Sequence, residues 1–144
     1  MIVCLKGWND NANGVRLAIC NDVIDIMICY FKIDYIKQYP LTLQHISCSE
    51  LYCQHDFPCT HPDRSLICLT VFDYDWCKFV FQLSHELCHC STSRKNLPQN
   101  IKWFDEFLCC FSSWVVINHY IKNVMPSSSE MFGNVKSTQD AFYY

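Results

Sequence analysis

Two histidines four residues apart with a glutamate between them, His85-Glu86-Leu87-Cys88-His89, are the part of this chain best suited to chemistry. On an α-helix that spacing puts both imidazoles on one face, where they can reach a single metal ion. Glu86, one step on from His85, then stands beside the coordination position that the two nitrogens leave open. Two nitrogen ligands, a carboxylate base and a position for water are the parts needed for hydrolysis at Zn2+. Such a site takes a third protein ligand. Asp105 and Glu106, in the segment Trp103-Phe104-Asp105-Glu106-Phe107-Leu108-Cys109, both offer a carboxylate where the next long helix begins.

Other residues carry weaker signals. Cys48, Cys53, His55, Cys59 and His61 lie close together, and four of them could build a tetrahedral structural zinc site. Their spacing lacks the paired C-x2-C knuckle of a zinc ribbon, so disulfides or free thiols fit equally well. Cys88 points about 60° from His85 on a helix, and burial as a thiol against a neighbouring helix is its expected role. His119 and Tyr120 are the candidates for stabilising an oxyanion, with ordinary packing as the expected alternative.

The elements that must position these groups are readable from periodicity. Residues 2–5 predict a short strand, and the patch Asn9-Asp10-Asn11-Ala12-Asn13-Gly14 predicts a turn. A long helix is expected from Val15 to about Gln38, closed by Pro40, and a weak strand over Leu41–Ile46. Cys48–His61 reads as irregular, and Ser65–Phe72 as the best strand of the chain. The motif helix is expected from Tyr74 to about Cys90, with Trp76, Phe79, Val80, Leu83 and Leu87 as its apolar stripe and the histidines on the opposite side. After a loop over 91–100, a second helix follows from Ile101 to Lys122, with a stripe of Trp103, Phe107, Cys110, Trp114, Ile117 and Ile121. Two helices joined by so short a loop can pack antiparallel, returning the first turn of the second toward the motif. Cys109, Cys110 and Ser113 share a face with Glu106 and are small enough for close approach.

With these two segments in this order, the chain resembles the small gluzincin-type zinc metallopeptidases. The matching residues are Phe81-Gln82-Leu83-Ser84-His85-Glu86-Leu87-Cys88-His89 and Trp103-Phe104-Asp105-Glu106-Phe107-Leu108-Cys109, within residues 65–120. The metzincin pattern is excluded, because Thr92 and Lys95 stand where it needs a glycine and a third histidine. The resemblance implies His85, His89 and Glu106 as ligands, Glu86 as general base, and peptide-bond hydrolysis. It also implies that the strand over 65–72 is the edge on which an extended peptide lies. The expected fold is α+β and zincin-like: a small sheet packed on the motif helix and a following glutamate helix, with a long N-terminal helix. The rival reading is a non-catalytic, zinc-stabilised protein-interaction domain, closed by a fourth ligand such as Cys88, Asp105 or His119.

Composition narrows the partners. With 144 residues, 51% of them apolar and 17% charged, one globular domain over 1–125 is expected, followed by a polar tail over 126–144. A net charge of −3 provides no basic patch for nucleic acid and no polybasic segment for a membrane surface. A peptide or protein is the expected partner. Twelve cysteines suit either a disulfide scaffold or a reduced core. With no secretion signal and no N-x-S/T sequon, the expectation is a reduced, cytoplasmic protein.

Overall fold

The computed structural model describes residues 3–32, 40–46, 59–61, 66–71, 75–93 and 102–123. In chain order the elements are β1 (Val3–Lys6), a 3-10 turn (Asp10–Ala12), α1 (Asn13–Phe31), β2 (Leu41–His45), β3 (Cys59–His61), β4 (Leu66–Leu69), α2 (Trp76–Ser93) and α3 (Lys102–Asn123). The architecture is α+β. Four strands run in the order β1-β2-β4-β3. β1, β2 and β4 are parallel, whereas β3 runs antiparallel to β4. Parallel neighbours need a crossover, and α1 supplies the one between β1 and β2.

β4 is hydrogen-bonded on both sides, so it has no free edge to which a peptide could add. That corrects the expectation for the strand over 65–72. The outer position belongs to β3, a strand within the stretch expected to be irregular.

The helices meet the sheet through one core. Val23, Ile24 and Met27 of α1, Leu43 of β2, Ile67 and Leu69 of β4, and Phe79, Leu83 and Leu87 of α2 are all fully buried. The stripe predicted for α2 is therefore the face it buries. Beside this core Arg16, only 1% exposed, sets its guanidinium carbon 5.2 and 5.7 Å from the ring centroids of Trp8 and Trp76. Its Nη1 donates to the Asn9 carbonyl and to Asn13 Oδ1. The Trp8 indole donates to the Val71 carbonyl and meets Phe79 edge-on. Gly7 sits at φ 83°, where a Cβ would come within 3.0 Å of the His45 carbonyl oxygen.

Helix boundaries depart from expectation where capping decides. α1 stops at Phe31, short of Gln38, because Lys32 turns to φ 55° and returns its N–H to the Ile28 carbonyl. α2 starts after Asp75, whose carboxylate accepts from the Lys78 N–H as an N-cap. It runs on to Ser93, past the predicted end at Cys90, with Thr92 Oγ1 donating back to the carbonyls of Cys88 and His89.

A side-chain clamp fixes how α2 sits on the sheet. Gln82 accepts from the Thr70 N–H through Oε1 and donates to Thr70 Oγ1 through Nε2, both at 3.0 Å. Gln82→Leu would leave that backbone donor without its partner. The expected cost is about 1–3 kcal/mol, read as a lower urea midpoint at unchanged slope.

The largest correction concerns α3. Trp103, Phe107, Cys110 and Trp114, expected as a packing stripe, are exposed. The buried face is Cys109, Ser112, Ser113, Val116, Ile117 and Tyr120. Small side chains let α3 approach α2 closely, and both serines satisfy their hydroxyls internally by donating to the Cys109 carbonyl at 2.8 and 2.9 Å. The expected tail over 126–144 and most of the Cys48–His61 cluster lie outside the described residues.

Candidate metal centre

α2 and α3 run antiparallel, as their contacts show. His89, near the end of α2, meets Asp105 at the start of α3, while His85, one turn earlier, reaches Glu106 and Cys110. Gln82 and the buried Ser84 hold the turn before the motif, with Ser84 Oγ donating to the Val80 carbonyl at 2.7 Å. Phe81 stacks on the His85 ring with centroids 6.2 Å apart.

The two Nε2 atoms converge. His85 Nε2 and His89 Nε2 lie 3.0 Å apart. The Glu106 carboxylate spans them, with Oε2 3.3 Å from His85 Nε2 and Oε1 3.3 Å from His89 Nε2. Ligand bonds of about 2.0–2.1 Å at a tetrahedral angle require donor atoms roughly 3.3–3.4 Å apart. The donor spacing is therefore close to that of a small divalent ion's coordination shell.

Asp105, weighed as a competing ligand, is placed differently. Its Oδ2 lies 3.0 Å from His89 Nδ1, on the side of the ring away from the convergent nitrogens. A carboxylate there holds the proton on Nδ1 and leaves Nε2 free as a lone-pair donor. Asp105 Oδ1 is buried with no hydrogen-bond partner among the described residues. His85 has a weaker counterpart, the exposed Cys110 Sγ at 3.9 Å from its Nδ1. Burial, reinforced by the neighbouring His89, holds the His85 imidazole below its usual value against the opposing pull of Glu106 and Asp105. That favours the neutral ring a metal requires.

A thiol layer lies beneath. Cys109 is fully buried, and its Sγ, with one nitrogen of each histidine, belongs to a group lying within 4.8 Å of one another that could hold a metal ion. Cys109 also hydrogen-bonds Cys88. That bond, helped by Ser112 and His89, brings the Cys88 thiol down to about 7 against the opposing effect of burial, while Cys109 is pushed far up. Cys88, Cys109 and Cys110, the thiols of the α2–α3 interface nearest the histidines, form no disulfide.

The structure brings together His85, His89 and Glu106, the set that the family resemblance implies, and adds Cys109, which the sequence did not mark as a neighbour of both imidazoles. Its position one turn after Glu106 was the available signal. Glu86 is 4% exposed, a buried member of the motif helix. His119 and Tyr120 turn instead toward α1, where Tyr30 Oη lies 3.0 Å from His119 Nδ1 and Tyr120 hydrogen-bonds Asp22. Among the described residues no helix is long and apolar enough to cross a membrane.

Removing the outer partner tests the arrangement. Asp105→Asn is expected to weaken zinc affinity about 10–100-fold, measured by competition against a chromogenic chelator. An unchanged affinity would show that His89 needs no orienting carboxylate.

No protein-family model, no curated protein and no solved structure matches this chain.

Proposed function

We propose that the chain is a zincin-like, zinc-dependent metallopeptidase of the gluzincin type, with His85, His89 and Glu106 as ligands and Glu86 as general base. The observation that carries this reading is the set of spacings among His85 Nε2, His89 Nε2 and the Glu106 carboxylate, 3.0, 3.3 and 3.3 Å. Glu106 is preferred to Cys109 as third ligand because its oxygens already stand at coordination-shell distance, whereas Cys109 is bounded only by 4.8 Å and is engaged with Cys88. The donor chemistry also fits a cation: two carboxylates meet two imidazoles, and among the described residues those carboxylates form ion pairs with the histidines alone.

Zinc in such a site supplies a Lewis acid that polarises a peptide carbonyl and acidifies water. The chain's own groups do the rest. Asp105 orients His89, and the helix α2 carries Glu86 directly after His85. As a carboxylate, Glu86 accepts a proton from the attacking water and returns it to the leaving amine.

A second reading is favoured by one observation, the burial of Glu86 together with the proximity of Cys109. In it the same metal is closed by a thiolate and stabilises a protein-interaction domain without turnover. The test is metal content by elemental mass spectrometry after purification without chelator or nickel, followed by hydrolysis of a casein peptide mixture. About one zinc per chain, with cleavage stopped by phenanthroline and restored by zinc, is expected. Zinc without cleavage selects the interaction domain, and failure to bind zinc removes both readings.

A further inference from the structure

Two thiols face each other inside the α2–α3 interface. Cys88 of α2 and Cys109 of α3 are hydrogen-bonded across it, and Ser112 hydrogen-bonds Cys88 from the α3 side. Cys109 is fully buried, and Cys88 is 7% exposed. A buried cysteine is ordinarily a small hydrophobe. This pair differs, because two thiols far apart in sequence are brought sulfur to sulfur where α3 presents Cys109, Ser112 and Ser113. A disulfide joins Cα atoms about 4.4–6.8 Å apart, a span that an interface of small residues suits.

We propose that Cys88 and Cys109 are a redox-active pair, which hydrogen peroxide converts to a disulfide joining α2 to α3. Cys88, the more accessible of the two, takes the first step. Its sulfur attacks a peroxide oxygen, the O–O bond breaks, and the thiol proton leaves with the released hydroxide as water. The Cys109 sulfur then attacks the sulfenic acid on Cys88. The S–S bond forms as the S–O bond breaks, and the Cys109 proton leaves with the second hydroxide. Two electrons pass from the thiols to one peroxide, which ends as water.

The position of the bond gives it a consequence for the metal. Cys109 Sγ lies with one nitrogen of each histidine in a group within 4.8 Å, so the reduced residue is placed to close the coordination shell. The thiolate is the form that ligates metals, and oxidation to the disulfide removes it. Glu106 then stands as the third ligand, and the water position stays open. That consequence rests on the metallopeptidase reading, whereas the cross-link rests only on the packing of α2 against α3.

The test is a peroxide titration of the reduced full chain, with and without zinc, followed by alkylation, tryptic digestion and mass spectrometry. Trypsin leaves Cys88 with Cys90 in residues 79–94, and Cys109 with Cys110 in residues 103–122. The Cys90→Ser/Cys110→Ser double variant therefore keeps only the proposed pair in those two peptides. Fragment-ion sequencing of the linked peptides from wild type places the bond independently of the variant. The expected result is a link between Cys88 and Cys109, formed before any other as peroxide is raised, with the loss of two alkylatable thiols per chain. The link is expected in the double variant and not in Cys109→Ser. Zinc is expected to stay bound to wild type through the oxidation. A link formed as zinc is expelled supports the pair and overturns Glu106 as the third ligand. Over-oxidation of single cysteines without a link, or a first link through Cys90 or Cys110, overturns the proposal and leaves the metal centre standing. So does a double variant that stays unlinked.

Discussion

Glu86→Gln is expected to retain zinc at the wild-type stoichiometry and to lose peptide hydrolysis by about 10²–10⁴-fold. The substitution keeps the side chain's shape and removes only its capacity to take a proton. Glu86 follows His85 on α2 and is 4% exposed, so a change of size there would disturb the helix, whereas an isosteric amide tests proton transfer. The measurement is initial rate on one peptide cleaved by wild type, with elemental analysis of the same samples. Undiminished turnover would rule out Glu86 as the base. Loss of zinc along with activity would assign Glu86 a part in holding the site together.

Glu106→Ala is expected to lower zinc affinity by more than the roughly 10–100-fold assigned to an outer partner such as Asp105. Cys109→Ser, a swap close in size at a fully buried position, is expected to leave about one zinc per chain. The two variants separate an open site from a closed one. Glu106 is 61% exposed and spans both Nε2 atoms from the solvent side, whereas Cys109 lies beneath them. The reverse result, with zinc lost in Cys109→Ser and kept in Glu106→Ala, would make the centre a thiolate site and select the interaction domain. Elemental mass spectrometry and chelator competition on both proteins give the answer.

Much of the fold was legible because α2 obeys a simple rule. Trp76, Phe79, Val80, Leu83 and Leu87 recur at helical spacing, and all are buried. The same rule failed on α3. Hydropathy counts Trp103, Phe107 and Trp114 as core, yet the helix turns its small residues inward, since Cys109, Ser112 and Ser113 permit the close approach that larger rings would block. Periodicity locates a stripe but does not say whether another helix lies against it. The end of α1 was hidden for a local reason: Lys32 takes the left-handed conformation without a glycine or asparagine to announce it. β3 was invisible because three residues are too few to show alternation, and its pairing with β4 comes from tertiary context.

At the candidate centre, residue types and spacing paired His85 and His89 with an acidic segment on the next helix, and the choice of Glu106 came from the family resemblance. Asp105 could not be separated from Glu106 in sequence, because adjacent residues differ by only 100° around a helix. The antiparallel packing of α2 and α3 separates them, giving one carboxylate to Nδ1 of His89 and the other to both Nε2 atoms.

The four tryptophans divide the molecule optically. Trp8 and Trp76 are buried beside Arg16, while Trp103 and Trp114 stand in solvent on α3. A collisional quencher such as acrylamide should therefore silence the α3 pair first, leaving emission that reports the interior alone. Events on α3 near Glu106 would then be read in the quenchable fraction and loss of the core in the protected one. The chain carries two colour channels without any added dye.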